Sequence, residues 1–396
     1  RHWSGAPPAM NTLLLKFRDR KVRDIFWQVL ASLALVAVVV FFVKNASDNM
    51  VKAGIASGFN FLWRDSGIEV PFNLTGYKPS DTIWALLWTG IVNTILVSVA
   101  SVFLATVVGF TVGLMRLSHN WLLSTLAAVY IEFVRNIPLL FFVLFWYFGV
   151  LAALPTPKES FDFLGVIFLN RRGLSIPTPN DVSGFHLALL AIFVLIVAQI
   201  VLSRWARARQ ARTGRDFPVW TAGFVLCGAL PLALFVWAGA LTSWDLPILR
   251  GFNYRGGFVL VPEFVALFMA LSTYTAGFIA EVVRGGIQSV RQGQIDAARA
   301  LGLTPGRVVR LVVIPQAMPV IIPPITSQYL NLIKNSSFGA AIAYPEIVAV
   351  FMGSALVATG QAIEIIAITL GIYLTIGLAV SVFMNWYNAR HRLVMR

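Results

Sequence analysis

Long apolar runs separated by polar segments set the pattern of this chain. Several reach about 18 residues or more, the length at which a helix crosses a bilayer. Eight spans are expected, near 25–43, 83–115, 121–154, 184–203, 217–240, 258–283, 317–334 and 361–386. Two of them, 83–115 and 121–154, run far beyond the roughly 20 residues that a perpendicular helix needs, so tilt or a break is expected. The third contains Pro138, which lacks a backbone donor and is expected to kink or interrupt it. Three polar loops, 44–82, 155–183 and 241–257, are rich in Pro, Gly, Asn and Asp and read as turn-rich caps or docking surfaces.

Composition agrees with the pattern. The chain is 58% hydrophobic and 12% charged, where a soluble domain carries roughly twice that charge. The fold class that follows is an all-α polytopic membrane protein. A net charge of +14 raises nucleic acid as a ligand, but Lys and Arg also accumulate in the cytoplasmic loops of membrane proteins. With the N-terminus inside, 20 of the 31 Lys and Arg fall in inner segments. Both termini are therefore expected to be cytoplasmic, and no nucleic acid is expected as a partner.

Catalysis finds little support. The chain has no GxxxxGK[ST] phosphate cradle, no HExxH and no cysteine cluster; Cys227 is alone. His2, His119, His186 and His391 are scattered over termini and loop edges. No catalytic residue and no metal site is assigned, and any ATP that drives this protein must be hydrolysed by a partner.

One polar stretch stands out, GQIDAARALGLTPGRVVRLVVIPQA at 293–317. Residues 294–301 favour helix, and Gly302 can end it in the left-handed conformation. Thr304 offers an N-cap hydroxyl and Pro305 fits the first position of a second helix. That helix is expected to run to about Ile314 and to stop at Pro315. Ile295, Ala298 and Leu301 share one face, and Val308, Leu311 and Val312 another, with Arg299, Arg307 and Arg310 pointing elsewhere. Two readings fit: a knob whose apolar stripe docks on another protein, or a connector lying on the membrane surface.

The order Asp296-Ala297-Ala298, Gly302 and Val312-Val313-Ile314-Pro315 resembles the EAA loop of bacterial ABC importer permeases. Asp replaces the usual Glu, and Val312 and Ile314 the usual Ile and Leu. The stretches NTILVSVASVFLATVVGFTVGLMRLS (93–118), YIEFVRNIPLLFFVLFWYFGV (130–150), AEVVRGGIQSVRQGQ (280–294) and PPITSQYLNLIKNSS (323–337) are similar to the polar-amino-acid branch, and together cover about half the chain. The extra first span and the 155–257 insertion resemble one of two non-identical permease subunits of a general L-amino-acid importer.

The resemblance implies a MetI-like core with an added N-terminal span and a two-span insertion. The divisions are 1–24, a cytoplasmic segment; 25–82, the extra span and periplasmic loop; 83–154, the first part of the core; 155–257, the insertion; 258–390, the second part with the coupling loop 284–316; and 391–396, a tail. It also implies that Asp296, Ala297, Ala298, Arg299, Gly302, Arg307 and Pro315 couple to an ATPase subunit. The chain itself would hold no cofactor, with ATP and Mg on that partner ATPase dimer. A second homologous permease, a periplasmic amino-acid-binding protein, L-amino acids and membrane lipid complete the implied partners, in the bacterial inner membrane. The alternative is a self-sufficient secondary amino-acid transporter or channel.

Ionisable side chains within spans are costly and face a cavity or a partner. Glu132 and Arg135 stand three apart before Asn136 and Pro138, as an ion pair or as a substrate contact at a helix break. Glu281 and Arg284 read as a structural pair. Lys334, Asn335, Ser336 and Ser337 form a contact for a zwitterion or a snorkelling helix end. Glu364 faces the translocation path or a subunit interface.

Overall fold

The computed structural model describes residues 20–52, 58–181, 183–214 and 217–391; the segment 1–19 and the tail 392–396 lie outside the described residues. Helix α1 (Arg20–Lys52) keeps its apolar side chains exposed along its whole apolar length. The centre of the bundle is the contact between α2 (Ile83–Arg116) and α8 (Pro262–Gln288). On α2 the buried positions Ile83, Leu87, Gly90, Thr94, Ser98, Ser101, Ala105, Gly109 and Gly113 recur every three or four residues, so they line one face. Lipid tails are as apolar as leucine, so helices in a bilayer associate through close packing of small residues. A Cβ on Gly109 would stand 2.6 Å from Ile279 Cγ2, and one on Gly113 2.8 Å from the carbonyl oxygen of Ala280. Thr82 starts α2 by accepting the Ala85 N–H at 3.3 Å.

The third span is broken where its proline lies. Helix α3 (Trp121–Asn136) and helix α4 (Leu139–Leu144), which continues as a π-helical turn over Phe145–Leu151, meet at 108°. Ile137 before the proline is extended, with φ −110° and ψ 131°, because the proline ring clashes with a helical neighbour on its N-terminal side.

The insertion has two parts. A cap of short antiparallel strands, β1 (Phe161–Phe163), β2 (Ile167–Asn170), β3 (Gly173–Ile176) and β8 (Phe258–Leu260), forms a sheet in the order β1-β2-β3-β8. Its last strand runs directly into α8. A helical hairpin is made of α5 (Ser183–Thr213) and a return leg of α6 (Val219–Phe224), a π-helical turn and α7 (Leu230–Leu241). Strands β4 (Thr178–Pro179) and β5 (Trp244–Asp245) pair beside its outer ends. Strands β6 (Ile248–Arg250) and β7 (Asn253–Arg255) form a separate ribbon.

Among the described residues six helices are long and apolar enough to cross a membrane, or seven with the bent α3–α4 pair taken as one span. The span expected at 217–240 is the return leg of the hairpin, one helical run from Val219 to Leu241, of which the stretch Thr221–Trp237 falls in the shorter apolar class.

Beyond α8 come α9 (Gln292–Ala300), α10 (Pro305–Val308), α11 (Ile314–Asn335), α12 (Leu356–Thr359) and α13 (Ala362–His391). The expected stop at Pro315 is absent. A π-helical turn over Val309–Val313 joins α10 to α11, making one helical run over Pro305–Ile342. The wider turn adds a residue just before the proline, which relieves the clash of its ring with the preceding turn. Helices α2, α5, α8 and α13 all finish at the end of the bundle carrying Arg116, Arg204, Arg284 and Arg390, the basic end. At the far end, residues 58–82 pack on 347–365 through Phe61, Leu62, Tyr77, Ile347, Phe351 and Ile365.

Candidate functional site

Two polar regions sit at the two ends of the α10–α11 run. At the basic end, Gly302 has φ +76°, a conformation that only glycine adopts without strain. The Gly302 N–H donates to Arg299 O at 2.9 Å and the Leu303 N–H to Ala298 O at 3.2 Å, the paired bonds of a Schellman ending. Thr304 takes the extended N-cap conformation, but its hydroxyl makes no capping bond. Pro305 occupies the start of α10.

The apolar stripe of this knob is split, which corrects the expectation that all of it docks on another protein. Ala298 and Val308 are buried, and Ile295, Leu303 and Val312 pack with them in the main core of the chain itself. Leu301 is 83% exposed and Leu311 59%. Asp296 and Arg299 form an exposed pair at 3.9 Å, and Gln292 Nε2 donates to Asp296 Oδ1 at 3.0 Å. Ala297 and Arg307 are exposed, and Pro315 is half-buried inside the helical run. The knob is thus fixed to its own spans on one side and presents leucine and arginine on the other.

Just above it, Glu281 and Arg284 form a two-pronged ion pair, with Arg284 Nε 2.9 Å from Glu281 Oε2 and Nη2 2.5 Å from Oε1. Glu132 and Arg135 form no ion pair. Asn136 Nδ2 donates instead to Glu132 O at 2.7 Å, and all three residues are exposed. Arg135, with Arg116, lies within electrostatic reach of Glu281 on α8.

At the other end of the run, Lys334 is exposed in a groove of about 500 Å³ between α11 and α13, lined also by Leu330, Leu370, Tyr373, Leu374 and Ser381. The adjacent hydroxyls do not share that groove. Ser336 is fully buried and donates to Ile333 O at 2.7 Å, and Ser337 donates to Lys334 O at 2.8 Å; Asn335 is half-buried. Among the described residues Glu364 lines no groove and forms no ion pair. It is 8% exposed, and its Oε1 accepts the Gly58 N–H at 2.7 Å. Its role here is to hold the far-end segment that follows α1.

Sequence reasoning missed the most deeply buried acid. After α11 the chain makes a tight turn, passes through Ala343 at φ +59° and re-enters the bundle over residues 346–359. Glu346 is fully buried there. Its carboxylate accepts the N–H groups of Val348 and Ala349, both at 2.8 Å, and the Tyr373 hydroxyl at 3.1 Å. Asn93 Nδ2 donates to Phe72 O and Pro345 O at 2.9 Å, the Tyr344 hydroxyl donates to Asn93 O at 3.0 Å, and Thr94 Oγ1 accepts the Ile347 N–H at 3.1 Å. Non-helical backbone at membrane depth persists only where protein satisfies it, and these side chains do so. Pro345-Glu346 before an apolar run is a helix-start signal that would have found the acid. Tyr373 belongs both to this network and to the Lys334 groove.

Comparison with known proteins adds the following. A family model described as the inner membrane component of binding-protein-dependent transport systems matches residues 232–393. The chain is similar to the general L-amino acid transport system permease protein AapQ of Rhizobium johnstonii, at 48% identity over 96% of this chain and 94% of that protein. It is also similar to the glutamate/glutamine/aspartate/asparagine transport system permease protein BztB of Rhodobacter capsulatus, at 36% identity over 99% of each. Among solved structures, an amino acid ABC transporter with histidines superposes at a TM-score of 0.46 and 19% identity, covering 78% of this chain and 94% of that one.

Proposed function

The chain belongs to the inner-membrane components of binding-protein-dependent transport systems, and from that premise we propose that it is a permease that moves L-amino acids by alternating access, driven by a separate ATPase. It is a multi-pass protein of the inner membrane and not itself an enzyme. Its relatives are permeases of amino-acid importers, which implies an ATPase and a substrate-binding partner. We further assign a second permease subunit as its membrane partner, and place the basic end and both termini in the cytoplasm, following the Lys and Arg bias.

One observation carries the reading of the loop. The knob at 292–311 presents Leu301, Leu311, Arg299 and Arg307 outward, and its second helix continues without a stop into α11. A push on the knob therefore moves a spanning element, and the far end of that element bears Lys334. Asp296, Ala297, Ala298, Arg299, Gly302, Arg307 and Pro315 divide the work. The exposed members meet the ATPase, Ala298 anchors the knob, Gly302 sets its turn and Pro315 rides within the run. ATP and Mg belong to the partner.

A lysine exposed on a spanning helix among leucines is costly in lipid, which supports a role for Lys334 and Tyr373 on the path of a zwitterion. Glu132, Arg135 and Asn136 are exposed at the bend and remain secondary candidates for that path. Ser336 and Ser337 are occupied in structural bonds, and Glu364 spends one carboxylate oxygen on Gly58 while the other has no partner among the described residues.

The test is reconstitution. In vesicles holding the assembled complex, uptake of amino acids should require the ATPase subunit, ATP and the binding protein. Uptake by this chain without the ATPase would show a self-sufficient carrier instead.

A further inference from the structure

At the basic end a hollow of about 530 Å³ lies between the insertion and the last span, lined by Gln199, Ile200, Ser203 and Arg204 of α5 and by Arg390 of α13. The return leg of the inserted hairpin begins at this level, where Gln199 Nε2 donates to Val219 O at 3.4 Å. Beyond it α5 continues to Thr213 with Arg204, Arg209 and Arg212 and no acid. The only acid of α13 is Glu364, at its opposite end. Neither Arg204 nor Arg390 has an ion-pair partner among the described residues. Arg390 lies 3.9 Å from the Trp386 ring centroid and Arg209 5.3 Å from that of Trp205. Paired tryptophan and arginine mark the headgroup level of a bilayer. One further atom is unprovided for: Gln199 Oε1 is buried with no hydrogen-bond donor.

We propose that this hollow holds the headgroup of an anionic glycerophospholipid, with its phosphate on Arg204 and Arg390 and a headgroup hydroxyl donating to Gln199 Oε1. Two guanidinium groups with no carboxylate partner among the described residues suit a phosphate, which they bind as planar multi-donor forks. A basic pocket between spanning helices on the Lys/Arg-rich side is where anionic headgroups bind. The orphaned acceptor selects a headgroup that carries a hydroxyl, such as phosphatidylglycerol, because a bare phosphate at neutral pH offers it little. The lipid ties the inserted hairpin to the last core helix, across a gap that side chains leave open.

The experiment uses the whole complex in nanodiscs of phosphatidylcholine with minor equal shares of phosphatidylglycerol and phosphatidic acid, with retained lipid read by native mass spectrometry. Wild type is expected to retain phosphatidylglycerol selectively. R204Q/R390Q should lose it, by roughly fivefold per arginine, while R204K/R390K keeps most of it. Gln199→Leu should erase the preference for phosphatidylglycerol over phosphatidic acid. If the double variant fails to assemble, R390Q alone carries the same expectation at half the effect on the logarithmic scale. Equal retention by wild type and the glutamine variants would overturn the proposal, and so would displacement of the lipid by millimolar inorganic phosphate, which would make the site one for free anions. Amino-acid uptake is not the readout, so the result stands apart from the transport reading.

Discussion

At one end of the Pro305–Ile342 run the chain is a pair of short helices with Leu301 and Leu311 in the open. At the other end it doubles back, with Glu346, Tyr344 and Asn93 buried among hydrogen-bond partners. Both are irregular segments joined to the same helix, yet they leave opposite things unfinished. The turn meets its backbone groups with its own side chains, through the Glu346 carboxylate and the Asn93 amide nitrogen, as irregular backbone inside a membrane protein requires. The knob completes its apolar packing on one side only, with Ala298 and Val308 against the spans, and leaves the other side for a partner. The difference separates a fixed support from a contact surface joined by one rod.

Substitutions can break that contrast. Glu346→Ala would leave two half-buried backbone donors, the Val348 and Ala349 N–H groups, without their acceptor, at up to about 1–3 kcal/mol each, with the Tyr373 hydroxyl stranded as well. The expected outcome is a large fall in the thermal unfolding temperature of the purified complex, with Glu346→Gln intermediate. Unchanged unfolding would show that the turn is not a support. Gly302→Val should act on the knob alone. Forcing a β-branched residue to φ +76° costs on the order of 1–3 kcal/mol, so the spans stay inserted while ATP-driven uptake and co-purification of the ATPase are lost. Arg299→Gln is the smallest change: its pair with Asp296 is exposed and 3.9 Å long, so stability should move by less than about 0.5 kcal/mol. A clear loss of ATPase affinity in that variant, with stability unmoved, would sharpen the assignment of the arginine to the contact surface.

Much of this was legible from the chain. Apolar run length located most spans, and Pro138 marked the break between α3 and α4, because a proline restricts its own backbone and that of its neighbour. Gly302 likewise announced its turn. Pro315 misled for a physical reason: a π-helical turn absorbs a proline that would end an ordinary helix, and no local signal distinguishes the two. The stripe of Ala298 and Val308 was visible, but which surface covers it is a tertiary matter. Glu132 and Arg135 have the spacing of an ion pair without forming one, since spacing permits contact and does not compel it. Glu346 was passed over because a lone acid inside apolar sequence gains its meaning from the three donors that the fold brings to it.

The central claim is that the knob delivers an ATPase's motion to α11. Its most direct measurement is cross-linking of Leu301→Cys to the ATPase subunit in the transporting complex, with Cys227 replaced so that the new thiol is the chain's only one. The account expects a cross-link whose yield changes between nucleotide-free and ATP-bound states, and whose formation stops uptake. Full ATP-driven uptake with no cross-link in either state, or with a cross-link that leaves uptake unchanged, would contradict it.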